Sequence, residues 1–65
     1  MPAPETNTRK IIARLKAEGW QSIGGSRHEI FRHPILPGRV AVPRHRTLSD
    51  FVAHQIAKVA GWNQE

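Results

Sequence analysis

Residues 24–31 read Gly24-Gly25-Ser26-Arg27-His28-Glu29-Ile30-Phe31. Paired glycines let a backbone bend tightly and approach a partner closely. Arg27 carries a planar fork of donors that matches a phosphate. His28 carries an imidazole, the side chain best suited to exchanging protons near neutral pH. A bendable approach, an anion clamp and a proton carrier within a few residues point to chemistry on a phosphodiester.

The charge supports a polyanionic partner. The chain has 65 residues and a formal net charge of +5. The segment from Arg27 to Arg46 holds Arg27, Arg32, Arg39, Arg44 and Arg46 with His28, His33 and His45, and Glu29 is its only acid. A concentrated Arg/His surface has nucleic acid as its natural ligand, against the alternative of solvated arginines on a generally basic protein. His28, His33 and His45 are too far apart in sequence to share a helix face and lack neighbouring carboxylates, which argues against a metal site. No cofactor is expected. With no cysteine, a disulfide framework and a thiolate zinc site are excluded. No apolar run approaches the roughly 20 residues of a membrane span, and no signal pattern opens the chain. A soluble cytoplasmic location is the expectation, with no membrane partner.

Elements must hold these groups in place, and the chain reads as one domain over 1–65. Residues 1–7, with two prolines and no apolar period, read as a loose arm. A helix of about 11 residues begins near Thr8, capped by Asn7 or Thr8, with Ile11, Ile12 and Leu15 as its apolar stripe and Gly19 as its left-handed stop. Trp20 to Ile23 reads as a strand leaving through Gly24-Gly25, and Arg27 to Arg32 as a second. Adjacent Ile30 and Phe31 must then face opposite sides of the sheet. His33 to Gly38, with two prolines, is a turn. Arg39 to Val42 is a third strand with Val40 and Val42 on one face, ended by Pro43. Thr47-x-x-Asp50 resembles a capping box, so the second helix starts at Thr47. Leu48, Phe51, Val52, Ile56 and Val59 form its apolar face and Gly61 stops it. Trp62 returns to the core, and residues 63–65 fray. The result is an α+β fold in the order α-β-β-β-α, a three-stranded antiparallel sheet with both helices on one face. That is the plan of a double-stranded-RNA-binding domain.

The motifs Gly19-Trp20, Gly25-Ser26-Arg27-His28, Arg32-His33-Pro34 with Pro37-Gly38-Arg39, and Val42-Pro43-Arg44-His45, in this order and spacing, resemble the HicA family of bacterial toxins. The likeness runs from the first helix to Gly61. It implies the double-stranded-RNA-binding-like fold, cleavage of messenger RNA, and neutralisation by a HicB-type antitoxin. The family's catalytic histidine, in its Gly-Ser-x-His motif, falls on His28. A second histidine or a lysine near this motif in many relatives is replaced here by Arg27 and Glu29.

With the reaction class that the resemblance implies, His28 is the candidate catalytic acid/base: RNA supplies its own nucleophile, the 2′-hydroxyl, and a base that removes its proton, with donors on the phosphate, suffices for transesterification without a metal. Gly25, Ser26, Arg27, Arg32, Arg44 and His45 are candidates for RNA contact, each arginine against the alternative of a solvated surface charge. His45 is a candidate second proton carrier or simply the end of a strand. His33 reads as turn chemistry and His54 as structural. The competing function is a non-catalytic RNA-binding module of the same fold. A DNA-binding regulator fits less well, because from Leu48 to Ala60 only His54 and Lys58 bring positive charge to the second helix.

Overall fold

In a computed structural model, residues 4–62 are described. The expectations for residues 1–3 and 63–65 lie outside them. The elements run α1 (Thr8–Ala17), β1 (Gln21–Gly24), β2 (His28–Arg32), β3 (Arg39–Pro43) and α2 (Asp50–Ala60). The strands form an antiparallel sheet in the order β1-β2-β3. Ile11 and Leu15 of α1, Phe31, Val40 and Val42 of the sheet, and Ile56, Ala57 and Ala60 of α2 join one buried cluster with Trp20, Leu48 and Trp62. Both helices therefore cover the sheet face that carries Phe31, Val40 and Val42. Burying a side chain of this size contributes about 1.5–3 kcal/mol, so this cluster dominates the stability of so short a chain.

Both helices end by the same device. Beyond α1, Gly19 has φ 99°, its N–H reaches the Lys16 carbonyl at 3.1 Å, and the Trp20 N–H reaches that of Leu15 at 2.9 Å. Beyond α2, Gly61 has φ 80°, and the Trp62 N–H reaches the Ala57 carbonyl at 2.8 Å. Each is a Schellman close, in which a left-handed glycine satisfies the last carbonyls and turns the next side chain inward. Trp20 and Trp62 are the side chains so delivered, and both are buried. The Trp62 indole N–H then donates to Glu18 Oε1 at 2.6 Å, while the Arg14 guanidinium lies 4.3 Å above the Trp62 ring.

Several boundaries differ from the sequence expectations. Trp20 precedes β1 instead of opening it, because its backbone N–H closes α1. Arg27 lies in a bend, and β2 starts at His28. The Asn7 side chain accepts from Lys10 N and is the α1 cap. The second helix starts at Asp50, with Ser49 accepting from Val52 N as the cap. Thr47 does not cap it but bridges to Asn7, and Leu48 is buried ahead of the helix. The buried face of α2 is Ala53, Ile56, Ala57 and Ala60, while Phe51 is 71% exposed. Thr6 and Asn7 belong to no loose arm: the Leu48 N–H donates to the Thr6 carbonyl at 2.9 Å and the Thr8 N–H to the Arg46 carbonyl at 3.0 Å.

Candidate nucleic-acid interface and proton carrier

Pleating sets what the uncovered sheet face displays. Phe31 pairs with Val40 and Glu29 with Val42 on the helix side. The alternate pairs, His28 with Pro43, Ile30 with Ala41 and Arg32 with Arg39, therefore face away from the helices. His28, Arg32, Arg39 and Ala41 are exposed and Ile30 is half-buried. The expected division of Ile30 and Phe31 between two faces holds, with Phe31 in the core.

The backbone around His28 is fixed by what is missing from Gly25. A Cβ at Gly25 would lie 2.1 Å from the His28 carbonyl oxygen and 3.4 Å from Ile30 Cγ1, and its φ is 129°. Only glycine lets the turn close so tightly over the start of β2. A bulge between Ser22 and Gly24 in the β1–β2 ladder aims the chain into that turn. From the β3 side, Arg44 Nη2 donates to the Gly25 carbonyl at 2.7 Å, and its Nη1 stands 3.8 Å from Glu29 Oε1. The turn is thus held by backbone contact with His28 on one side and by a guanidinium on the other. The His28 ring itself is exposed and makes no side-chain hydrogen bond among the described residues, so it is open to a substrate proton.

The arginines do not converge on His28. Arg32 lies four residues further along β2, about 13 Å by strand rise, and sits directly opposite Arg39. Two like charges facing each other across a ladder are destabilising unless an anion bridges them. Beyond the opposite end of the strand pair come Arg44, His45 and Arg46, where the chain crosses to the start of α1. Positive charge therefore flanks His28 on both sides, arranged as a track instead of a single clamp. Ser26 and Arg27 are exposed in the bend beside it.

The other histidines fall apart in role. His33 Nδ1 accepts from the backbone N–H groups of Ile35 and Leu36 at 3.0 and 3.1 Å. Its Nε2 must then carry the proton donated to the Glu18 carbonyl at 2.9 Å. The ring stands edge-on to Trp20, with centroids 5.2 Å apart. His33 is a structural tie between the end of α1 and the β2–β3 turn. His45 is exposed and its carbonyl accepts from the Thr8 hydroxyl. His54 is exposed on α2 with Nδ1 3.0 Å from the Asp50 carbonyl. Among the described residues no three His, Cys, Asp or Glu side chains gather.

Sequence reasoning did not single out Arg39 as the partner of Arg32, nor Glu18 as the anchor of Trp62. Register, which pairs the first two, could have been approached by aligning Phe31 with Val40. Nothing local marks the second pair, 44 residues apart.

A family model described as the HicA toxin of bacterial toxin–antitoxin systems matches residues 8–62, both helices and all three strands. No curated protein matches the chain. The described residues contain no helix long and apolar enough to cross a membrane. With a family match across nearly its whole length, the chain belongs to the HicA family, the toxin components of bacterial toxin–antitoxin pairs.

Proposed function

We propose that this toxin is a metal-independent endoribonuclease acting on messenger RNA, with His28 as its proton carrier. The carrying observation is the exposed His28 ring on the uncovered sheet face, beside a turn packed so closely on the His28 carbonyl that Gly25 has no room for a Cβ. In the reaction, His28 accepts the proton of a 2′-hydroxyl. The 2′-oxygen attacks the adjacent phosphorus, the bond from phosphorus to the 5′-oxygen breaks, and the departing oxygen takes a proton from water, which is made good by the proton that His28 gives up. The products are a 2′,3′-cyclic phosphate and a 5′-hydroxyl. Gly25 and Ser26 shape the approach, Arg27 lies beside the scissile phosphate, and Arg32 and His45 contact flanking RNA. Arg44 acts through the Gly25 carbonyl it holds. Preorganised positive charge near the phosphate stabilises the transition state in the manner of an oxyanion hole.

A HicB-type antitoxin neutralises the toxin by laying an acidic surface over this basic face and His28. Charge complementarity with a chain of net charge +5 favours such a partner.

The test uses purified protein, a single-stranded messenger transcript, and EDTA. Cleavage that persists in EDTA, stops in His28→Ala with unchanged circular dichroism, and skips sites with a 2′-deoxy sugar bears the reading out. Full activity of His28→Ala, or cleavage of DNA, overturns it. The opposed pair of Arg32 and Arg39 equally suits a non-catalytic RNA-binding module, for which the same assay gives binding and no scission.

A further inference from the structure

Apart from the His28 face, a cleft of about 540 Å³ opens between the start of α1 and the segment after β3, lined by Asn7, Thr8, Arg9, Ile12, His45 and Arg46. We propose that this cleft holds one nucleotide of single-stranded RNA beyond the two joined by the scissile phosphate, with that nucleotide's own phosphate between Arg9 and Arg46 and its base or ribose against Ile12. The inference rests on the ribonuclease reading for its substrate and on separate geometry for its location.

The walls are fixed to each other. The Thr8 N–H reaches the Arg46 carbonyl at 3.0 Å, the Thr8 hydroxyl donates to the His45 carbonyl, and Asn7 bridges to Thr47. This bonding brings Arg9 and Arg46, 37 positions apart in sequence, to one cleft. Both are exposed, and neither forms an ion pair among the described residues. Glu5 does not line the cleft, and its carboxylate accepts the Asn7 N–H at 3.0 Å. Uncompensated cations held together by backbone bonds favour an anion between them. The half-buried Ile12 adds apolar surface of the kind a base or sugar covers, and the volume lies within the range of small-molecule sites.

Position ties the cleft to the reaction. His28 pairs with Pro43, and His45 follows two residues later, a span of at most about 7 Å. A strand whose scissile phosphate lies at His28 enters the cleft with its next nucleotides.

The experiment measures binding of a fluorescein-labelled 12-nucleotide oligouridylate by anisotropy at several salt concentrations, in the non-cleaving His28→Ala protein. Arg9→Gln with Arg46→Gln is compared with Lys16→Gln with Lys58→Gln, which removes equal charge from outside the cleft. The cleft pair should weaken binding at least tenfold beyond the control pair and lower the salt slope by about 0.7, the share of one neutralised phosphate on a single strand. In the His28-containing protein the same pair should raise KM and leave kcat unchanged. A dinucleotide substrate, too short to reach the cleft, should be cut equally by both. Equal loss in the cleft and control pairs overturns the proposal, as does unchanged RNA affinity with weakened antitoxin binding. If the wild type cuts no RNA yet the cleft pair alone loses affinity, the ribonuclease reading fails while the cleft stands.

Discussion

The guanidinium of Arg44 donates to the carbonyl of Gly25 at 2.7 Å, joining the exit of β3 to the turn that presents His28. A residue that contacts phosphate and one that positions a turn leave different traces. Arg44→Ala should lower kcat about tenfold, the effect of losing one charge-assisted hydrogen bond of about 1.4 kcal/mol. It should leave the salt slope of RNA binding unchanged, whereas Arg32→Ala should reduce that slope by about 0.7. Arg44→Lys should recover little, because an ammonium cannot serve the Gly25 carbonyl and Glu29 through one planar fork. Steady-state kinetics at two salt concentrations decides the matter, and full rescue by lysine would show that charge alone matters.

The two glycines of the turn should respond unequally. Gly24 has φ 89° with nothing within 4 Å of an added Cβ, so Gly24→Ala costs only the left-handed strain, about 1–2 kcal/mol. Gly25→Ala drives a methyl to 2.1 Å from the His28 carbonyl, and the start of β2 must move. Cleavage should fall more than 100-fold in Gly25→Ala, as expected when a reacting group is displaced by about 1 Å, and by under tenfold in Gly24→Ala. Rates at matched folded fraction, from thermal melts, make the comparison.

This turn was legible in the sequence because glycine pairs and a following polar triplet are local signals. The element order and the inward valines of β3 were legible for the same reason, since periodicity and turn residues act over a few positions. The start of α2 was not. Thr47-x-x-Asp50 and Ser49-x-x-Val52 compete as caps over the same residues, and the long-range bridge from Thr47 to Asn7 decides between them. Phe51 matched the apolar stripe by spacing, yet the tight seam of α2 is built from alanines, which a hydrophobicity pattern underweights. At the site, His28 was marked by its motif, whereas the engagement of Arg44 with Gly25 depends on how β3 leaves the sheet.

His33 and His28 should separate stability from activity. His33→Ala removes two accepted backbone bonds and one donated bond at the end of α1. Leaving these groups unsatisfied at a partly exposed position should cost about 2–3 kcal/mol. His28→Ala removes an exposed ring with no hydrogen bond and should stay within about 0.5 kcal/mol of wild type. Urea denaturation should rank His33→Ala far below His28→Ala, while cleavage per folded molecule ranks them in the opposite order. Equal stability of the two variants would remove His33 from its structural role.

Glu18 makes the stability of the fold depend on acid. Burial pushes its carboxyl up, but hydrogen bonds from the Trp62 indole and from Arg14, with the Arg14 charge, outweigh that and hold it below its ordinary value of 4.5. A carboxyl whose pKa is lower folded than unfolded binds fewer protons in the native state, so it contributes stability above the unfolded value. That contribution is lost as pH falls from about 4.5 through the folded value. The carboxylate is partly exposed, which keeps the effect small. Melting followed by tryptophan fluorescence between pH 7 and pH 3 should show a shallower acid decline in Glu18→Gln than in wild type. Trp62→Phe removes the 2.6 Å bond and should flatten the decline in the same direction, while Trp20→Phe, whose indole N–H has no partner among the described residues, should leave its slope unaltered. Parallel declines in all four proteins would show that the Glu18–Trp62 bond does not link folding to protons.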